Sequence, residues 1–181
     1  QQAEVQLLRD ARAYREAYAL QEKLVAANPD DDDLEYELAM LADRLERYSQ
    51  MERLLRKVIA RNPNYHHALN ALGYSLADRG VQLEEARLLI ERALSLAPND
   101  PFITDSLGWI EYRMGNMPQA RQLLERAYRL RPDAEIAAHL GEVLWVLGEK
   151  EAARKLWKES ARLNADNEVL RETLKRLGVK P

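Results

Sequence analysis

The stretch Asp105-Ser106-Leu107-Gly108-Trp109-Ile110-Glu111-Tyr112-Arg113-Met114-Gly115-Asn116-Met117-Pro118 decides the reading of this chain. It carries a Leu-Gly pair inside a helix-like run and a second glycine seven residues on, where the run stops. The same phrase stands at Ala71-Leu72-Gly73-Tyr74 with Gly80, and at His139-Leu140-Gly141-Glu142 with Gly148. Those six glycines and Gly178 are all seven the chain contains. The Leu-Gly pairs follow one another at spacings of 35 (73 to 108) and 33 (108 to 141) residues. Pro29, Pro63, Pro98 and Pro132 keep the same beat, and Ala165 holds the next place in Leu163-Asn164-Ala165-Asp166-Asn167. A period near 34 residues signals a repeat architecture, in which each unit buries its apolar face against its neighbours.

Each unit divides into two amphipathic helices. In the fourth, Pro101 to about Met114 forms the first helix, with proline in its first turn. Gly115-Asn116 turns the chain, since glycine accepts the left-handed conformation a helix end requires. The second helix then presents Ala120, Leu123, Leu124, Ala127 and Leu130 at helical spacing. The third unit predicts helices over about 65–79 and 83–96, and the fifth over about 135–147 and 150–163. The second unit replaces both glycines, with Ala39 and Glu46 in their places. A lone helix over about 168–177 follows, with Leu170, Leu174 and Leu177 on one face and Gly178 to end it. A glycine inside a helix costs about 1 kcal/mol relative to alanine. Its recurrence at Gly73, Gly108 and Gly141 therefore predicts helices packed too closely for a Cβ.

The totals agree with helix. The chain has 181 residues, 46% hydrophobic and 31% charged, and a single Phe. A net charge of −3 and the lack of a Lys/Arg stripe with interleaved aromatics argue against a nucleic-acid partner. The absence of cysteine excludes disulfides, zinc–thiolate sites and thiol catalysis, while leaving the compartment open between periplasm and cytoplasm. No apolar run reaches the roughly 20 residues of a membrane span. The opening Gln1-Gln2-Ala3-Glu4 reads as the continuation of a longer chain.

These residues resemble the tetratricopeptide repeat, a helix–turn–helix unit of about 34 residues. Beyond the Leu-Gly and turn glycines, the second helices carry its small–bulky–small triplet. It reads Ala86, Ile90, Ala93 in the third unit, Ala120, Leu124, Ala127 in the fourth and Ala153, Trp157, Ser160 in the fifth. The resemblance implies an all-α, right-handed superhelical solenoid of about five helix–turn–helix repeats with a C-terminal capping helix. The whole chain is then one such domain: a partial unit over 1–31, units over 32–65, 66–100, 101–133 and 134–167, and the cap over 168–178. The wording around Leu72-Gly73, Leu107-Gly108 and Leu140-Gly141 further resembles the C-terminal repeats of Gram-negative periplasmic lipoproteins held at the outer membrane. A characterised type of those proteins is an adaptor that activates a carboxyl-terminal processing protease and brings substrates to it. That likeness implies a lipidated cysteine and further repeats upstream.

In this fold the first helix of each unit lines a concave face. The resemblance therefore places Tyr36, Met40 and Arg44 there, then His67, Asn70 and Tyr74, then Asp105, Trp109, Tyr112 and Arg113, and finally Ala138, Glu142 and Trp145. A line of Tyr and Trp with Arg and Glu beside it has the composition of an interaction surface. Each ring taken singly can equally pack between neighbouring helices, and Trp157, at a bulky wall position, is expected in the core. The expected role is a protein-binding scaffold or adaptor whose groove takes a segment of a partner protein. The alternatives are an assembly scaffold for envelope or exopolysaccharide machinery and self-association of two copies.

Chemical readings are weaker. A carboxylate clamp needs a basic cluster, and the corresponding positions hold Asn70, Asp105, Trp109 and Glu142. His66 and His67 diverge by about 100° on a helix, and His139 with Glu142 makes only half a metal site. Asp105, Ser106 and His139 supply the residue types of a hydrolase triad, without a nucleophile elbow or oxyanion loop. Neither an enzymatic activity nor a metal or cofactor is expected.

Overall fold

The computed structural model describes residues 1–180, and among them it contains eleven α-helices and no strand. They are α1 (Gln2–Asp10), α2 (Tyr14–Ala27), α3 (Asp32–Arg44), α4 (Tyr48–Arg61), α5 (His66–Asp78) and α6 (Leu83–Leu96). Then follow α7 (Pro101–Arg113), α8 (Met117–Leu130), α9 (Ala134–Val146), α10 (Lys150–Leu163) and α11 (Glu168–Leu177). Contacts gather into two compact units, residues 1–72 and 73–180, so that the boundary falls inside α5.

The helix starts follow from Asx chemistry. Asp31, Asp100, Asp133 and Asn167 are the N-caps of α3, α7, α9 and α11, and each side chain accepts from a backbone N–H of the first turn. Tyr65 stands at the corresponding place before α5. The hairpin turns follow from backbone conformation. Gly80, Gly115 and Gly148 take φ of 68°, 87° and 88°. Glu46 and Arg12 hold the same left-handed turn in the two earlier hairpins, at φ 56° and 57°. The turn is thus required by the architecture even where no glycine supplies it. The extra residue in the third unit is absorbed at Val81-Gln82, where Gln82 is left-handed (φ 48°) at the start of α6.

The glycines inside α5, α7 and α9 are contact points. A Cβ on Gly73 would lie 2.6 Å from Ile90 Cγ1, one on Gly108 2.7 Å from Leu124 Cγ, and one on Gly141 2.0 Å from Trp157 Nε1. Each bulky residue of the second helix therefore fills the space that the glycine leaves. In unit 1 the corresponding pair is Ala39 and Leu55, both fully buried. The unit 1 core also holds Val5, Ala17, Leu38 and Val58. That of unit 2 is built on Ile90, Ile103, Ile110, Leu124, Ile136, Trp157 and Leu170. In unit 2, α7 packs on α6 and α8, and α9 on α7, α8, α10 and α11. The lone α11 buries Leu170 and Leu174 in that core, and Gly178 ends it at φ 69°.

Candidate protein-binding groove

In unit 2 the first helices bring one repeat position into a row: Tyr74 on α5, Trp109 on α7 and Glu142 on α9. They line a groove of about 360 Å³ together with Asp78, Arg113 and His139, and α11 closes its end with Val169, Glu172, Thr173 and Arg176. Aromatic faces, three carboxylates and two guanidinium groups share this surface.

The back wall is a buried polar chain. His139 is 2% exposed, and its Nδ1 stands 2.9 Å from Oδ1 of Asp105, itself 3% exposed. Its Nε2 meets the Tyr74 hydroxyl at 3.1 Å. The Trp109 indole stacks on the imidazole at 4.3 Å between centroids and 27° between planes, and its Nε1 donates to Asp78 at 3.3 Å. Burial opposes a charge on His139, but the Asp105 carboxylate outweighs it by attraction and hydrogen bonding, with help from Glu135 and Asp78. The imidazole pKa is therefore raised. With Nδ1–H donating to Asp105, neutral Nε2 accepts from Tyr74 O–H, and protonated Nε2–H donates to the phenol oxygen.

The side wall joins α7, α9 and α11. Glu142, 2% exposed, is ion-paired to Arg176 and hydrogen-bonded to Tyr112. Burial first, and then the Glu142 charge, push the Tyr112 phenol up to about 12. The exposed Arg113 lines the groove and donates from Nε to Ala77 O at 3.2 Å, capping the end of α5, with Nη2 against the Gly80 turn.

Several expected groove residues are thereby corrected. Trp109 and Glu142 line the groove as expected but are buried and bonded within the unit, whereas Asp105 lies behind His139 and does not line it. Ala138 is fully buried. Trp145 does not line this groove. It packs on Trp157 at 5.7 Å, under Lys150 and Arg154 at 4.7 and 5.1 Å, because its α9 position turns it toward α10. Trp157 is core, at 1% exposure.

The remaining candidates lie in unit 1. Tyr36 and Met40 are half-buried, Arg44 and His67 are exposed, and Arg44 lies over the Tyr14 ring at 5.6 Å. Asn70 is half-buried, and its Oδ1 is sealed from solvent with no hydrogen-bond partner among the described residues. Tyr36, Tyr65 and His67 gather their rings 5.7–6.3 Å apart. Sequence reasoning omitted Tyr65, although it is the one aromatic in a row of Asx caps and could have been singled out by that break.

The triad residue types do not assemble. Ser106 donates to Phe102 O one turn back at 3.0 Å, and Tyr74 holds the far side of the histidine instead. No group of three His, Cys, Asp or Glu placed to hold a metal occurs among the described residues. No helix among them is long and apolar enough to cross a membrane.

A family model described as tetratricopeptide repeat matches residues 36–101 and 106–168. Among curated proteins, a TPR repeat-containing protein of Pseudomonas aeruginosa is 50% identical over 149 residues, 82% of this chain and 25% of its own length. A TPR repeat-containing protein of Treponema pallidum is 29% identical over 117 residues, 64% of this chain and 14% of its own. The chain thus spans a quarter or less of these two relatives. Among solved structures, the TPR protein TTC0263 of Thermus thermophilus superposes with a TM-score of 0.83 at 21% identity, over 97% of this chain and 96% of that one. MamA of Desulfovibrio magneticus does so at 0.70 and 18%, over 92% and 94%. At these identities the structural likeness speaks for the fold. Paired helices around buried glycines, left-handed turns at each repeat and the matched family model make this chain a member of the tetratricopeptide repeat family.

Proposed function

We propose that the unit 2 groove receives a segment of a partner protein, and that the chain serves as the adaptor region of a longer, periplasmic, outer-membrane-anchored protein. The partner on this reading is a carboxyl-terminal processing protease of the cell envelope, or a client brought to it. Tetratricopeptide repeats are a protein-interaction architecture. The observation that carries the reading is the groove's composition: aromatic faces held by the buried His139–Asp105 bond and the Trp109–Asp78 bond, with Asp78, Arg113, Glu172 and Arg176 at its mouth. A wall held in place before binding spares the partner the cost of ordering it. Mixed charges at a rim steer and select partners more than they add affinity. The compartment and the partner class rest on the resemblance of the wording around Leu72-Gly73, Leu107-Gly108 and Leu140-Gly141 to envelope adaptors.

The test is direct binding of the purified protease to this chain, wild type against an Arg113→Glu/Glu172→Lys double variant. Both residues are exposed, so the variant keeps the buried walls. Binding that weakens at least tenfold supports the groove, whereas equal binding places the contact elsewhere. No binding by the wild-type chain excludes this partner class.

A further inference from the structure

In unit 1 the rings of Tyr36, Tyr65 and His67 form a nearly equilateral triangle, with centroids 5.7, 6.2 and 6.3 Å apart. Their planes are inclined at 43°, 44° and 69°, so the rings are not stacked into one another. None is fully buried, and His67 is exposed. The surroundings are acidic. Tyr65 donates its hydroxyl to Asp33, and both phenol pKa values are raised, by burial first and then by the neighbouring carboxylates, Glu37 for Tyr36 and Asp33 for Tyr65. Arg9 is paired with Glu37.

Tyr65 also breaks the rule that governs its position. At the other first-helix starts from α3 onward, the same place is filled by Asp31, Asp100, Asp133 or Asn167, each capping its helix with a side-chain hydrogen bond. An Asx residue at an N-cap is worth about 1 kcal/mol over a non-capping one. Here a phenol ring, which has no Asx carbonyl to cap with, stands in that place beside two other rings. Departures from local rules gather where a surface does something besides fold.

We propose that this ring triad is a binding site for an organic cation, the ammonium or guanidinium end of a lysine or arginine in a bound polypeptide. One point can lie within about 6 Å of all three ring centroids, the range in which a cation is attracted to aromatic faces. Asp33 supplies complementary charge beside the Tyr65 ring, Glu37 being already paired with Arg9, and the partly exposed rings leave the approach open. The inference leans on the protein-binding role of the repeats only for the source of the cation. The triad can be tested without any partner protein.

The probes are N-acetyl-lysine amide, N-acetyl-arginine amide and the neutral isostere N-acetyl-norleucine amide, titrated while the ring protons are followed by NMR. The expected result is saturable shifts of the Tyr36, Tyr65 and His67 signals with a cationic probe and none with norleucine. The stronger of the two cations identifies the side chain. A Tyr65→Asp variant, which restores the cap and so keeps α5 folded, and a Tyr36→Leu variant should each weaken the response at least fivefold. Equal shifts with all three probes, no shifts with either cation, or an undiminished response in Tyr65→Asp would overturn the proposal. None of these results bears on the unit 2 groove, whose failure is read separately through Arg113 and Glu172.

Discussion

At Gly141 a single hydrogen atom stands where any side chain would enter the Trp157 indole, at 2.0 Å from Nε1. Alanine there gains about 1 kcal/mol of helix propensity but must displace a rigid, buried ring. Gly141→Ala should therefore lower stability, and by more than Gly73→Ala, whose neighbour Ile90 has a rotatable end. Gly108→Leu should cost at least 1–3 kcal/mol, about the price of overpacking a core. Urea denaturation of the three variants checks the order. At the turns the sign reverses. Glu46 and Arg12 occupy left-handed backbone that costs an L-residue about 1–2 kcal/mol, so Glu46→Gly should raise stability by up to about 1 kcal/mol after the entropy of glycine is deducted. His139 adds a pH dependence. Its pKa is raised above the ordinary 6.5, because Asp105 overcomes the effect of burial. Its contribution to stability is thus complete below about pH 6.5 and is lost as pH rises through the folded-state value. The stability gap between wild type and His139→Gln should shrink over that upward range, as followed by thermal melts at fixed ionic strength.

At the scale of elements, the helices were legible and their side-chain traffic was not. Glycine spacing and the proline beat locate each hairpin because backbone conformation is a local property. Leu83–Leu96, Lys150–Leu163 and Glu168–Leu177 have the bounds that apolar periodicity predicts. Trp109 lines the groove as its repeat position predicts, but what its ring packs against is non-local. The ring turns inward to stack on His139, thirty residues away in sequence, and composition alone does not reveal that partner. Asp105 and His139 were recognisable as reactive residue types, but only the α7–α9 contact shows them bonded to each other and to Tyr74 instead of to Ser106. Trp145 shows the limit of projecting residues onto an ideal face, since a rotation toward α10 exchanges groove for wall. The element most exposed to perturbation is α11, tied to α9 by Arg176 and Glu142 and by Leu170 and Leu174. Arg176→Ala leaves the buried Glu142 without its cation, with Tyr112 still bonded to it. It should speed amide exchange throughout α11 with little change in α7, a local loosening readable by hydrogen exchange.

At the scale of the molecule, the chain is a tetratricopeptide-repeat array whose two compact units carry different surfaces. Unit 2 offers a braced groove with mixed charge at its mouth, and unit 1 offers a ring triad beside carboxylates. The central claim is that the unit 2 groove, not the outer helices, meets a partner protein. Hydrogen exchange of the chain alone and in complex with a bound partner protein tests this most directly. The account predicts added protection on α7, α9, α11 and the Tyr74–Asp78 end of α5, whose side chains line the groove, with α8 and α10 unchanged. Protection confined to α8 and α10 would contradict it.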